Sequence, residues 1–295
     1  MQGERAIAQT AIDLGTWDVD PFILLGLALT SGLYALGWQR LRARARRESN
    51  LADWRRWAFL GGIAALVVAL LSPVATLDGV LFSAHMLQHL LLIQLAAPLL
   101  LLGAPVLPLL WGLPGQERRG AARLFFSPRS VLNRVGHVLT EPALAATLFL
   151  VSVTVWHVPA LYDAAQGRTA THVLEHLLFL GTALLYWWPV VHPSGGRRRL
   201  GLGSSIFYLL PPLVGSNLLG ALLTFARTPL YRTYVEAPRV TSLSALDDQQ
   251  LGGLLMWVVG GMAWGIAVFI ALGVFLRREQ EAAEKSESAW AARHR

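Results

Sequence analysis

Residues 80–102 read VLFSAHMLQHLLLIQLAAPLLLL. At about 1.5 Å of rise per residue, one helix over this run crosses a hydrocarbon layer of roughly 30 Å. His85 and His89 inside it are four residues apart, a spacing that puts both rings on one helix face. A second apolar run repeats the arrangement as His172-Val-Leu-Glu-His176, again followed by Leu-Leu. Ionisable side chains are costly in hydrocarbon, so histidine there marks a functional position by default. Two such pairs read most simply as a metal site inside a membrane protein.

The rest of the chain fits that setting. It has 295 residues, 54% of them hydrophobic and 15% charged. Long apolar runs recur at 21–40, 54–72, 141–158, 171–191, 204–226 and 250–276, giving seven spans with 80–102. The expected fold is therefore all-α, a polytopic seven-transmembrane-helix bundle forming one domain over residues 1–278, with a polar tail at 279–295. The tail is expected to be a frayed helix in water. Pro98 in the third span and Pro211-Pro212 in the sixth should kink those helices and free backbone carbonyls. No short apolar stretch with a small-residue cleavage site precedes the first span, so a removable signal peptide is not expected.

The formal charge of +7 could suggest a nucleic-acid partner, but the basic residues lie in short loops between spans, so the expected surroundings are the lipid bilayer, with no nucleic acid. Arginines cluster at 40–56 (Arg40, Arg42, Arg44, Arg46, Arg47, Arg55, Arg56), at 112–139 (Arg118, Arg119, Arg123, Arg129, Arg134), at 197–199 and at Arg277-Arg278. The alternate loops are poorer or mixed: 73–79 has none, 159–170 only Arg168, and 227–249 sets Arg227, Arg232 and Arg239 against Glu236, Asp247 and Asp248. The positive-inside rule then sets the amino terminus outside and the carboxyl terminus, with its tail, in the cytoplasm. On that topology His85, His89, His157, His172 and His176 converge on the outer half of the bundle. Met256 lies at similar depth below Asp247 and Asp248, while His137, His192 and His294 fall on the cytoplasmic side. Trp111 and Trp187-Trp188 read as a cytoplasmic-side aromatic belt and Trp156 as part of an outer one. Asp78 before the first histidine pair and Asp163 before the second suggest related helix hairpins.

Several motifs together resemble one family. They are Ser83-Ala-His-Met-Leu-Gln-His-Leu-Leu-Leu with downstream Leu-Gly-Ala-Pro105, Trp156-His-Val-Pro-Ala-Leu-Tyr-Asp163, His172-Val-Leu-Glu-His-Leu-Leu-Phe-Leu180, Tyr186-Trp-Trp-Pro189 and Asp248-Gln-Gln-Leu-Gly-Gly-Leu-Leu-Met-Trp257. In order over spans two to seven, they are similar to the CtaG family of seven-span bacterial membrane proteins. The resemblance implies a role in assembling haem–copper cytochrome c oxidases in the bacterial plasma (inner) membrane. It implies oxidase subunits as partners, and the outer position of the histidines suggests an extracytoplasmic copper donor upstream.

The side chains available narrow the metal. With no cysteine, thiolate ligands are excluded and His, Met, Asp, Glu and Gln remain. Imidazole with thioether favours Cu(I), and the expected ligands are His85, His89, His157, His172 and His176. Met86, Met256 and Asp248 are accessory candidates, and Gln88 and Glu175 are expected to fix imidazole tautomers from behind the ligands. Taken singly, the methionines also read as packing and Asp247-Asp248 as a helix-capping entrance.

Three other functions compete with non-enzymatic copper handling. Bis-histidine haem binding would show a Soret band, yet two histidines on one helix suit a metal cluster better than one haem. A zinc metallopeptidase could use His172-Val-Leu-Glu-His176 as H-x-x-E-H, although the parallel cluster carries Gln88 where a catalytic Glu is needed. A transporter would need an ionisable path through the inner half, and the sequence offers none.

Overall fold

The computed structural model describes residues 16–44, 52–191 and 200–294, and no strand forms among them. Arg46, Arg47, His192 and Arg197–Arg199 lie outside the described residues. The helices are α1 (Pro21–Arg44), α2 (Trp54–Leu71), α3 (Pro73–Leu77), α4 (Phe82–Leu102), α5 (Val106–Gly112), α6 (Gly115–Phe126), α7 (Val131–Leu139), α8 (Pro142–Trp156), α9 (Pro159–Gln166), α10 (Thr169–Val191), α11 (Leu202–Thr224), α12 (Arg232–Glu236) and α13 (Ala245–Arg293).

Among the described residues, six units are long and apolar enough to cross a membrane: α1, α2 with α3, α4, α10, α11 and α13. A seventh crossing requires α7 and α8 together, and these are bent by 73° at Thr140-Glu141. Here the structure refines the single helix expected at 141–158. Pro142 occupies the first turn of α8, and the Glu141 carboxylate accepts from Leu144 N at 3.0 Å, so the sequence starts a new helix there. The chain is thus an all-α polytopic membrane protein, and its outward surface is correspondingly apolar: Phe22, Phe207 and Phe269 stand open to the surroundings. The tail is helical as well. Residues 279–293 continue α13 without a break, because Ala and Glu are strong helix formers and Gln280 reaches Glu284 one turn on.

Two glycines set the packing of α1 on α5. A Cβ on Gly37 would overlap the Pro108 carbonyl, and one on Gly112 would overlap the Leu33 carbonyl, so the helices meet backbone to backbone. Nearby, the Tyr34 hydroxyl donates to Gly103 O at 2.9 Å and its ring stacks on Phe59 with centroids 3.7 Å apart. Arg44 and Arg118 both lie over the Trp111 ring, gathering cations at the end of the bundle away from the paired histidines.

The central core joins α4, α8, α10 and α13. Trp187 stacks on Trp264 at 4.9 Å, and its indole N–H donates to Ile93 O at 3.0 Å. That bond has a local cause. Residues Leu91–Ala96 form a π turn in which Ala97 N donates to Leu92 O, and Pro98 has no N–H to offer Ile93 O. Pro98 therefore frees a carbonyl, as its position predicts, and Trp187 satisfies it. Trp187 and Trp156 are both buried in this core, which corrects their assignment to aromatic belts.

Candidate metal centre

Two elements present the histidine pairs. On α4, His85 and His89 project from the first turns after Phe82. That helix end is held by Asp248, whose carboxylate accepts from Phe82 N (2.6 Å), Ser83 N (3.2 Å) and the Ser83 hydroxyl (2.5 Å). Asp248 comes from α13, so the start of α13 caps the start of α4. On α10, one face carries His172, Glu175 and His176 toward α4.

The rings meet. Nε2 of His85 and Nε2 of His89 lie 2.6 Å apart. Ring centroids are 4.2 Å apart for His172–His176, 5.2 Å for His85–His172, 5.5 Å for His89–His176 and 6.4 Å for His89–His157. Each of two triads, His85/His89/His176 and His85/His172/Glu175, brings three donor atoms within 4.8 Å of one another. The Glu175 carboxylate stands 3.8 Å from His85 Nε2 and 3.7 Å from His89 Nε2. It sits beside the two Nε2 atoms that face each other, where the sequence suggested support from behind.

Burial makes these groups chemically exposed to one another. His85, His89, His157 and Glu175 are all buried. His89 Nδ1, His157 Nε2, His172 Nε2, His176 Nε2 and both Glu175 oxygens have no hydrogen-bond partner. A buried polar atom left unpaired costs about 1–3 kcal/mol, and five residues of one cluster carry that cost. A bound cation would remove it. Tetrahedral coordination with bonds of about 2.0–2.1 Å separates nitrogens by about 3.3 Å, so His85 and His89 need to part by well under 1 Å to share an ion.

Partners around the rings orient them. His157 ends α8 and its Nδ1–H donates to Val153 O at 2.7 Å, which leaves the lone pair on Nε2. His85 Nδ1 meets the Gln166 side-chain amide and, at 3.3 Å, the Tyr234 hydroxyl. The 2.6 Å contact requires a hydrogen between His85 and His89. An ion taking both Nε2 atoms would displace that one hydrogen to Nδ1 of the ring that donates it; on His85, Gln166 could accept it through its oxygen. His172, nearer the surface, has Nε2 3.5 Å from Asp78 Oδ2. Burial pushes the Asp78 carboxyl up to about 7, against a Gly79 backbone hydrogen bond and the Gln88 side chain.

The remaining sequence candidates fall out differently. Gln88 donates to Ala69 O on α2 at 2.8 Å and contacts no imidazole by hydrogen bond, which corrects its assignment as a tautomer-fixing partner. Asp248 acts as the cap described above. Met86 and Met256 are buried beside Phe82, Tyr162, Tyr231 and Tyr234, whereas Met262 on the same helix as Met256 faces outward. Asp163 accepts from Thr233 N and its hydroxyl, so it does not mirror Asp78, and the hairpin likeness does not extend to these partners. Sequence reasoning missed Gln166 and Tyr234 as neighbours of His85. Both come from loop-proximal helices with no periodic signal pointing inward.

Fold and site together define a class: polytopic helical membrane proteins with a histidine–carboxylate cluster buried between their spans. Within it, residues 32–278 match the family described as cytochrome c oxidase caa3 assembly factor (Caa3_CtaG), and the chain belongs to that family. Among curated proteins it is similar to uncharacterized proteins of Mycobacterium bovis and Mycobacterium tuberculosis, each 30% identical over 93% of this chain and 41% of the relative. An uncharacterized Mycobacterium leprae protein is 24% identical over 90% of this chain and 39% of its own length. The chain thus spans about two fifths of the curated relatives it matches. No solved structure matches it.

Proposed function

We propose that this protein takes up copper as cargo in the outer half of the bundle and aids its insertion into a cytochrome c oxidase of a bacterial plasma membrane. The observation that carries the reading is the set of buried, unpartnered imidazole nitrogens converging from α4, α8 and α10. His85, His89 and His176 are the principal ligands. Glu175 and His172 complete or exchange at the shell, and His157 stands ready next to His89. Such a shell of weakly linked, exchangeable donors suits a carrier better than a closed structural site. Family membership supports the oxidase as recipient. On the topology given by the arginines, an extracytoplasmic donor delivers the ion at His172 and Asp78, the partly exposed members of the cluster.

No turnover is needed for this role. Glu175 is only 1% exposed and walled in by histidine rings, a poor position for a general base that must reach a peptide bond. Haem is disfavoured by the same crowding, since the cavity beside the cluster, about 30 Å³, has room for a water-sized occupant and none for a macrocycle.

Elemental analysis of the detergent-purified protein after copper loading tests the proposal. Stoichiometric copper that falls in His85→Ala and His176→Ala is the expected result. Equal copper in wild type and both variants overturns it. Oxidase copper content in a strain lacking the protein then separates delivery from scaffolding.

A further inference from the structure

A cavity of about 30 Å³ adjoins the cluster at His89, its wall including Met86, Gln94, His157, Ser216 and Met256. A space of this size holds at least one water-sized occupant. Two of its wall residues bring unsatisfied nitrogens. His89 turns Nε2 to His85 and Glu175, and its buried Nδ1 has no partner. His157 has committed Nδ1 to Val153 O, and its buried Nε2 has none. Met86 and Met256 add two thioethers, both buried. Met256 lies in the second π turn of the bundle, Leu255–Gly260, and the first, Leu91–Ala96, begins two residues after His89. Single π turns inside longer helices recur at functional sites, where they re-aim side chains.

We infer that this cavity is a second metal position, selective for Cu(I), with His157, Met86 and Met256 as its donors and His89 as the wall it shares with the cluster. It deepens the copper reading above and rests on it. The selectivity follows from charge and softness. All three donors are neutral, and Glu175 lies on the other side of His89, so a divalent ion would be buried without a counter-charge. A monovalent soft ion pays far less and gains the thioethers, which hard or borderline cations do not favour. The cluster with Glu175 and the cavity without a carboxylate therefore sort ions by charge, and the His89 ring stands between them.

The experiment is an anaerobic titration of the full chain in detergent with Cu(I), against a competing chelator, and separately with Zn(II), followed by copper K-edge absorption. Met86→Leu combined with Met256→Leu keeps volume and shape nearly constant. Two Cu(I) but one Zn(II) are expected for wild type, with sulfur among the copper neighbours. The double variant should hold one Cu(I) and one Zn(II), with the sulfur signal gone. One Cu(I) in wild type with nitrogen and oxygen neighbours alone overturns this position and leaves the histidine cluster standing. One Cu(I) with sulfur neighbours, unmoved by His176→Ala, upholds the cavity and overturns the cluster as the principal site. No copper uptake overturns both. Because the sulfur signal is read on the wild type, the test does not depend on the variants folding.

Discussion

His85 touches more of the site than any other ring described: His89 at 2.6 Å, Glu175 at 3.8 Å, Tyr234 at 3.3 Å and the Gln166 amide. Only some of those contacts can bind a metal, and the others set which nitrogen is free to do so. Losing a partner that orients a metal-bound histidine typically costs 10–100-fold in affinity. Gln166→Leu should therefore weaken copper retention about 10–100-fold in chelator competition while leaving the stoichiometry intact; unchanged affinity would mean that Gln166 does not orient His85. Glu175→Gln is the sharper case, because it keeps the shape and removes the charge. If the carboxylate is a ligand, Zn(II) affinity should fall more than Cu(I) affinity, since the divalent ion loses the buried carboxylate beside His85 and His89. Equal losses would assign it a positioning role. The histidine pairs were legible in the sequence because a spacing of four has one geometric meaning on a helix. The place of Glu175 was not, because i+3 within its pair fits equally a group beside the ligands and a group behind them.

Helices in this bundle complete one another at their ends and breaks. The start of α4 has no cap of its own, since Leu81 precedes it, and the Asp248 carboxylate from α13 takes both orphan N–H groups of Phe82 and Ser83. Asp248→Ala should cost about 1–3 kcal/mol, read as a clear drop in thermal midpoint in detergent, with Asn falling between Ala and wild type. The same change should weaken metal binding, because it loosens the turn that carries His85; a lowered midpoint with unchanged copper affinity would separate the cap from the site. The Pro98 break in α4 is covered in the same way by Trp187. Trp187→Phe keeps an aromatic ring on Trp264 but strands Ile93 O, at about 1–3 kcal/mol, and a midpoint within error of wild type would show the carbonyl finding another donor. Span positions and the effect of Pro98 could be read from sequence because bilayer thickness and proline chemistry are local constraints. Asp248 read as the mouth of its own helix, since nothing local reveals that an acidic residue serves an element 165 residues away.

At the scale of the whole molecule, charge and chemistry are segregated along the helix axes. Arg40 donates to Trp111, Gly112 and Leu113 carbonyls, and Arg44 and Arg118 cover the Trp111 ring, all at the end of the bundle remote from the starts of α4 and α10. The histidine cluster lies toward the opposite end, beside the short connection that holds Asp78 and Gly79. A copper site facing the extracytoplasmic compartment requires that this second end point outward, as the arginine bias predicts. The absence of cysteine from the sequence makes the orientation directly measurable, since any introduced thiol is the sole target of a labelling reagent. Gly79 and Gly120 are suitable positions: both are exposed, and a Cβ at either meets nothing within 4 Å. In intact cells or spheroplasts, a membrane-impermeant maleimide should label Gly79→Cys at once and Gly120→Cys only after permeabilisation. The reverse pattern would turn the histidines toward the cytoplasm, where His172 and Asp78 would meet a cytosolic donor, and would remove the outward-facing delivery route while leaving the metal cluster itself intact.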